Sequence, residues 1–339
     1  MAARVAINGL GRIGRATLRS VLHEPALEVV AVNDLAPADN LAYLLRHDTA
    51  YGPFGERVSA EDSSLRIGDR TIDVRSEEDP AALPWKDLAV DLVFECTGVF
   101  RRADDIGKHL QAGASRVVLS APAKDGAMAT VVHGVNTDDG LGVEMVSCAS
   151  CTTNCIAPVM EILERRVGVR KATMTTVHAY TTSQELVDGP AGKYRRGRAA
   201  AANIVPTTTG AADATALAVP SVEGRFDGVA LRVPVAVGSI ADIVCVTERT
   251  TSAEEINGIF VDEADTDRYR GIVGVASDPL VSSDIIGDAR ATLVDPSLTT
   301  VTDGDLVKVM AWYDNEWGYA QQMVRHACAM VGTAADTRR

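Results

Sequence analysis

Residues 4–14 read RVAINGLGRIG, and this stretch decides the fold of the first half of the chain. RVAIN is a short apolar run typical of a strand, GLG interrupts it, and from Arg12 to His23 the apolar residues recur with helical spacing. A strand, a glycine turn and a helix in this order open a βαβ unit. The stretch therefore predicts the first strand of a parallel sheet.

Similar apolar runs follow along the first half of the chain. They are EVVAVND (28–34), DLVFEC (91–96) and RVVLS (116–120), and a helical pattern covers 37–46. β-branched runs that alternate with helical patterns are typical of a parallel sheet with helices on both faces. We expect an α/β, doubly wound domain over residues 1–150.

The pattern changes after residue 151, where longer strand-like runs follow one another with few helices between them. These runs cover 172–181, 228–237, 239–249 and 306–314. Such a succession predicts an α+β domain over 151–314 with a mainly antiparallel sheet. A last helical pattern begins near Glu316, and we expect the segment 315–339 to pack back on the first domain. The 339 residues are enough for two domains.

Composition excludes several classes of function. The net charge of −13 argues against nucleic-acid binding, and the basic cluster at 193–198 is too short to change this. No apolar run approaches the ~20 residues that span a bilayer, and the N-terminus lacks the layout of a signal peptide. We expect a cytoplasmic protein whose six cysteines are thiols.

The sequence GLGRIG (9–14) matches the dinucleotide motif G-x-G-x-x-G between a strand and a helix. Gly9 permits the tight turn, Gly11 lets a pyrophosphate approach the backbone, and Gly14 allows close packing of helix and strand. Asp34 stands 20 residues after Gly14, where a carboxylate binds ribose hydroxyls and repels a 2′-phosphate. The motif favours NAD over NADP; the alternative is a glycine-rich turn that binds nothing.

Three of the six cysteines lie in CASCTTNC (148–155). Their spacing, without a nearby histidine, does not match the usual zinc patterns, so no metal site is expected. Cys155 lies one helical turn after Cys151 and is expected to pack inward, whereas Cys148 stays undecided.

Cys151 is a candidate nucleophile because helix-starting residues surround it. At a helix N-terminus or beside an imidazolium, a thiol pKa of ~8.5 can fall to ~3.5–7.5, which would give a thiolate at neutral pH. The partner expected from the same domain is His178, although a lone strand histidine is also a common core residue. A nucleotide site and an activated thiol together predict aldehyde oxidation through a hemithioacetal and a thioester.

Several motifs then identify a family resemblance. INGLGRIGR (7–15), ASCTTNCIAP (149–158), TTVHAYT (175–181), NIVPTTTGAA (203–212) and WYDNEWGY (312–319) make the chain similar to phosphorylating glyceraldehyde-3-phosphate dehydrogenases over nearly its whole length. The resemblance implies a Rossmann domain and a catalytic domain in a glycolytic homotetramer. It also implies oxidation of glyceraldehyde 3-phosphate with NAD and inorganic phosphate.

The resemblance assigns roles to individual residues. Cys151 is the implied nucleophile and His178 the implied base. Two phosphates are bound by the set Ser150, Thr152, Thr209 and Gly210 and by the pair Thr181 and Arg232. The implied NAD contacts are Gly9, Gly11, Arg12, Ile13, Gly14, Asp34, Ser120 and Asn315, the last on the nicotinamide amide.

Departures from the family pattern leave two alternatives open. Glu78 stands where the family usually has Arg, Cys148 replaces Asn, Asp213 replaces Lys, and residues 235–238 replace a Thr-Pro-rich segment. These changes favour a specialised paralogue that uses erythrose 4-phosphate or tolerates thiol-alkylating inhibitors. The alternative of another class is a redox-sensing scaffold that responds through Cys151.

Overall fold

The computed structural model describes residues 2–336, and side chains up to residue 332. The chain forms two compact units. The first contains the described residues of Met1–His133, Thr137–Ala149 and Met323–Arg339, and the second contains Gly134–Asn136 and Ser150–Gln322.

The first unit is built on a sheet whose central strands are parallel. Its strands are β1 (Ala3–Asn8), β2 (Leu27–Asn33), β3 (Val58–Glu61), β4 (Ser64–Ile67), β5 (Arg70–Arg75), β6 (Leu92–Glu95), β7 (Arg116–Leu119), β8 (Ala129–Thr130) and β9 (Met145–Ser147). Its helices are α1 (Arg12–Val21), α2 (Ala38–Arg46) and α3 (Ala103–Gln111). The strand order is β3-β4-β5-β2-β1-β6-β7-β9-β8. Only the β3-β4 and β4-β5 pairs are antiparallel.

The order of the parallel strands reverses at β1, which pairs with β2 on one side and with β6 on the other. In such sheets, ligands bind outside the carboxyl ends of the strands at this switch point. The glycine turn after β1 lies at that position. Gly9 has φ +89°, and a Cβ at Gly9 would lie 2.8 Å from the Thr97 nitrogen, so this turn requires glycine.

The second unit follows with the strands β10 (Val169–Ala179), β11 (Val205–Thr208), β12 (Phe226–Val233), β13 (Ser239–Thr247), β14 (Val273–Val275), β15 (Thr292–Val294), β16 (Thr300–Thr302) and β17 (Leu306–Tyr313). Its helices are α4 (Cys151–Val167), α5 (Ala211–Ala218) and α6 (Ala253–Ala264), and α7 (Trp317–Asp336) begins in this unit. The strand order is β11-β12-β10-β13-β17-β15-β14, with β16 paired to β17.

Short 3-10 turns occur in both units. They cover Pro80–Ala82, Thr137–Gly140, Tyr194–Gly197, Ala200–Ala202, Pro220–Val222, Ser282–Ile285 and Pro296–Leu298.

The predicted fold class is confirmed: a doubly wound parallel sheet in the first unit and a mainly antiparallel sheet in the second. The ends of the strands differ from the predicted ends by a few residues. β2 ends at Asn33, so Asp34 is the first residue beyond the strand. The antiparallel edge β3-β4-β5 was not predicted because its strands are short and mostly polar. Two pairs in the second sheet are parallel, β10 with β12 and β14 with β15.

The glycine turn gives the first testable prediction. A Cβ at Gly14 would lie 1.9 Å from the Gly9 carbonyl oxygen, and Gly9 is fixed by its N–H bond of 2.7 Å to the Asn33 carbonyl. We expect Gly14→Ala to lower the free energy of unfolding by about 3 kcal/mol, measured by urea denaturation.

Gly11→Ala is the matched control for Gly14→Ala. A Cβ at Gly11 would meet no atom within 4 Å, and its φ of −64° suits alanine. Its stability should change by less than about 0.5 kcal/mol. Equal destabilisation by the two variants would contradict the packing role of Gly14.

A buried histidine pair gives a second prediction. His326 is 0% exposed, and neither of its ring nitrogens has a hydrogen-bond partner among the described residues. Its ring lies edge-on to His133, with 6.0 Å between ring centroids. Burial first, and then the neighbouring His133, lower the pKa of His326 to about 4.

A histidine whose pKa is lower in the folded state stabilises the fold fully above pH ~6.5, and that stability is lost as pH falls toward 4. The unfolding free energy of the parent protein should fall as pH drops from 6.5 to about 4. In His326→Leu this fall should be smaller by about 2–3 kcal/mol. Urea denaturation at several pH values measures it, with the exposed His23→Gln as control. A pH dependence identical to that of the parent protein would contradict the burial effect.

Candidate active site

A sharp turn delivers Cys151 to the start of α4. Ala149 takes a left-handed conformation with φ +53°, and Ser150 is the N-cap of the helix. The Ser150 hydroxyl accepts the Thr153 N–H at 3.1 Å. The predicted helix start is confirmed, and Cys151 is its first residue, where N–H groups and the helix dipole favour negative charge.

His178, near the end of β10, is in contact with the thiol. The Cys151 Sγ and the His178 Nε2 are 3.3 Å apart. The His178 Nδ1 lies 2.6 Å from the Ala179 carbonyl oxygen, which can only accept, so Nδ1 carries the proton. The neutral ring therefore offers a lone pair at Nε2 to the thiol proton.

The electrostatics correct the expected protonation state of this pair. Burial raises the pKa of the Cys151 thiol, against the opposing effects of the Arg232 charge and of hydrogen bonds with Thr152. Burial first, and then the charge of Arg232, lower the pKa of His178 to about 3. The expected thiolate beside an imidazolium is therefore replaced by a thiol beside a neutral imidazole. The histidine is available as a base.

Arg232 and Thr181 lie at the same end of the sheet as His178. The Arg232 Nη1 donates to the Ala179 carbonyl oxygen at 3.0 Å and to the Thr181 hydroxyl at 3.2 Å. In the sheet, Arg232 is the register partner of His178 on β12. A guanidinium and a hydroxyl held together in this way suit one anionic group.

The Thr152 hydroxyl belongs to a buried network under the thiol. It lies 2.9 Å from the Tyr313 hydroxyl, which is also 2.8 Å from the Thr176 hydroxyl. The Tyr313 ring contacts His178 edge-on, with 6.0 Å between ring centroids. Tyr313 thus packs against the candidate base and orients Thr152, a role that no sequence pattern had indicated.

Arg196 is a further residue that sequence reasoning missed. Its charge lowers the pKa of both His178 and Arg232. Its guanidinium donates to the hydroxyls of Thr207 and Ser183 at 3.1 and 3.2 Å. Arg196 lies in the long loop between β10 and β11, where hydrophobic periodicity gives no signal.

Thr209 and Gly210 form the start of α5, a second helix N-terminus. Gly210 is the N-cap, and the Thr209 hydroxyl accepts the Ala211 N–H at 3.2 Å. α5 packs against α4. No hydrogen bond joins these two residues directly to Cys151, His178 or Arg232. Asp213, one of the departures, is exposed in the first turn of α5.

The candidate cofactor residues other than Asn315 belong to the first unit. Gly11 caps α1 without a side chain, and the open space at its Cα leaves room for a ligand, as a pyrophosphate requires. The Asp34 carboxylate accepts the Leu10 N–H at 2.7 Å and the Ala36 N–H at 2.9 Å. These residues fit a dinucleotide.

The remaining predicted contacts differ in what they can offer. Ile13 is partly buried in the first turn of α1, and Ser120 follows β7, where its N–H donates to the Glu95 carbonyl. The Arg12 guanidinium bonds Asp48 at 2.6 Å and stacks over Tyr51. Its side chain is therefore held by protein groups.

The other cysteines of the cluster are core residues. Cys148 is 3% exposed and Cys155 is 0% exposed, and burial raises the pKa of each thiol to about 12. Among the side chains described for residues 2–332, no group of three or more His, Cys, Asp or Glu could hold a metal ion. Over the same range, no helix is long and apolar enough to cross a membrane.

Comparison with known proteins gives a consistent result. The family described as glyceraldehyde 3-phosphate dehydrogenase, NAD binding domain, matches residues 3–103, and the C-terminal domain of that family matches residues 150–315. Glyceraldehyde-3-phosphate dehydrogenase of Thermotoga maritima is 51% identical over 326 residues, 95% of this chain and 97% of the relative. The Streptomyces coelicolor enzyme of that name is 47% identical over 327 residues, 96% and 97% of the two chains.

The contact between Cys151 and His178 predicts the behaviour of the free protein toward alkylating reagents. An asparagine side chain cannot take up the thiol proton at neutral pH, so His178→Asn should slow alkylation of Cys151 by iodoacetamide at pH 7 by about 10-fold or more. Peptide mass spectrometry measures the rate at Cys151. Cys155→Ser, which changes a fully buried thiol, serves as control and should leave the rate unchanged. An unchanged rate in His178→Asn would contradict the role of the imidazole as base.

Proposed function

The chain belongs to the glyceraldehyde-3-phosphate dehydrogenase family, and from this premise we propose that it oxidises glyceraldehyde 3-phosphate to 1,3-bisphosphoglycerate with NAD and inorganic phosphate, the glycolytic reaction. The observation that carries the proposal is the pair of Cys151 and His178, 3.3 Å apart, with the His178 Nδ1 proton fixed on a carbonyl.

The first chemical step forms a covalent bond between substrate and Cys151. The His178 Nε2 takes the thiol proton as Sγ attacks the aldehyde carbon, and it returns that proton to the carbonyl oxygen. The product is a hemithioacetal. Although burial raises the pKa of the thiol, the proton has an acceptor at 3.3 Å, so the thiolate need not exist before the attack.

The second step uses the same imidazole, and the third releases the product. In the second step, bound NAD would supply the acceptor for the hydride that leaves the substrate carbon. His178 removes the hydroxyl proton of the hemithioacetal, which leaves a thioester on Cys151. A phosphate oxygen then attacks the thioester carbonyl and the C–S bond breaks. The acyl phosphate leaves, Cys151 regains a proton from the phosphate, and the imidazolium releases its own proton to solvent.

The two phosphates are assigned to the residues implied by the family pattern. The contact of Arg232 with Thr181 supports a role for both in binding the phosphate of the sugar. Ser150, Thr152, Thr209 and Gly210 are proposed to hold inorganic phosphate, because the N-termini of α4 and α5 supply N–H donors beside small hydroxyls.

Cofactor choice rests on the first unit, which matches the NAD-binding domain of the family. The Asp34 carboxylate is held beside the glycine turn by the Leu10 and Ala36 N–H groups, and it would repel a 2′-phosphate. Gly9, Gly11, Arg12, Ile13 and Gly14 are proposed to surround the pyrophosphate. Ser120 and Asn315 are proposed to contact the nicotinamide half.

We also propose a cytoplasmic homotetramer. Large apolar side chains are exposed on the loop after β10 and on the neighbouring strands: Leu186, Val187, Tyr194, Ile204 and Val229. Apolar residues grouped on a surface mark contacts between subunits. Of the alternatives, the redox-sensing scaffold is not favoured because Cys148 and Cys155 are buried with raised pKa values. The names of the relatives favour the three-carbon sugar phosphate over erythrose 4-phosphate.

NADH absorbance tests the proposal directly. Purified protein given NAD, inorganic phosphate and glyceraldehyde 3-phosphate should produce NADH, and omission of phosphate should reduce turnover to a single cycle per active site. Cys151→Ser is expected to lower the rate by about 1,000-fold or more, because the hydroxyl is a far weaker nucleophile at neutral pH. Turnover that prefers erythrose 4-phosphate, or full activity in Cys151→Ser, would overturn the proposal.

A further inference from the structure

Ser239, the first residue of β13, lies between two groups of the candidate active site. It is 1% exposed, and its hydroxyl oxygen is 3.1 Å from the Ala179 nitrogen and 3.0 Å from the Asn315 Oδ1. Neither the family resemblance nor the mechanism above gives this serine a role.

The direction of both hydrogen bonds is fixed. The Ala179 N–H can only donate, so the Ser239 oxygen accepts from it, and the hydroxyl proton is left for Asn315. The Gly238 N–H, also a donor only, lies 3.2 Å from the same Asn315 atom. That atom must be the amide oxygen, so the Nδ2 end of Asn315 is the part that can donate to a ligand.

The second hydrogen bond of Ser239 holds Ala179, which contacts two further groups of the site. While its N–H is held by Ser239, its carbonyl oxygen accepts from the His178 Nδ1 and from the Arg232 Nη1. The N–H belongs to the peptide that joins His178 to Ala179, and the carbonyl belongs to the next peptide, so these bonds hold the Ala179 backbone on both sides of its Cα. A change in the Ala179 backbone torsion angles would displace the carbonyl and disturb the side chains of both His178 and Arg232.

We propose that Ser239 is a positioning residue that sets the orientation of the Asn315 amide and the backbone conformation of Ala179. The inference rests on the proposed function, in which Asn315 contacts the nicotinamide amide. With its oxygen engaged by Ser239 and Gly238, Asn315 offers only N–H donors, so it selects the carbonyl oxygen of the carboxamide and fixes the rotation of that group.

Binding titrations of NAD and of ADP-ribose test whether Ser239 orients the Asn315 amide. ADP-ribose lacks the nicotinamide, so it reports the remaining contacts alone. Ser239→Ala should raise the dissociation constant for NAD by about 5- to 10-fold and that for ADP-ribose by less than about 2-fold. The double variant that combines Ser239→Ala with Asn315→Ala should bind NAD no more weakly than Asn315→Ala alone. The reason is that Ser239 affects NAD only through Asn315.

Thr247→Val is the matched control. Thr247 lies at the other end of β13, is 1% exposed, and donates its hydroxyl to the Arg249 carbonyl at 2.7 Å. The variant removes a buried hydroxyl from the same strand, remote from His178 and Asn315, and should leave both dissociation constants unchanged. Ser239→Cys, which keeps the size of the side chain with a weaker donor, should give an intermediate NAD affinity.

Alkylation of Cys151 in the protein without cofactor tests whether Ser239 acts on His178 through the Ala179 backbone. Ser239→Ala should slow this reaction by about 2- to 5-fold because His178 is less firmly oriented, whereas Thr247→Val should leave it unchanged. An unchanged NAD affinity in Ser239→Ala, an equal loss for NAD and ADP-ribose, or an unchanged alkylation rate would overturn the inference. If the parent protein binds no NAD, the proposed function fails instead.

Discussion

The hydrogen bond between the His178 Nδ1 and the Ala179 carbonyl is the interaction on which the proposed chemistry depends. At 2.6 Å it fixes the proton on Nδ1 and leaves Nε2 as an acceptor facing the thiol. Without it, the ring could turn its N–H toward Cys151 and lose its function as a base. The same carbonyl also receives Arg232, so the base and the cation share one anchoring point.

In both units, a helix begins where the proposed function places a negatively charged group. In the first unit, Gly11 caps α1 without a side chain, and the space in front of the helix is open for a pyrophosphate. In the second, Ser150 caps α4, and the first residue of that helix is the thiol that would carry negative charge in the proposed attack. Glycine makes room for a ligand, whereas serine orders the turn that presents a nucleophile.

The local features of the site could be predicted from sequence because they depend on short segments. The glycine spacing and the run of polar residues around Cys151 correctly located two helix starts. The resemblance also pointed to His178, which the structure places beside Cys151. What sequence could not supply depends on distant packing: Tyr313 reaches Thr152 across 161 positions, and burial reverses the expected pKa shift of Cys151.

The central claim is that Cys151 carries the substrate as a thioester. Mass spectrometry of protein incubated with NAD and glyceraldehyde 3-phosphate, with phosphate left out, tests it most directly. A phosphoglyceroyl adduct on the peptide that contains Cys151, removed when phosphate is added, is the predicted result. NADH formation without any adduct on that peptide, or an adduct on another cysteine, would contradict the claim.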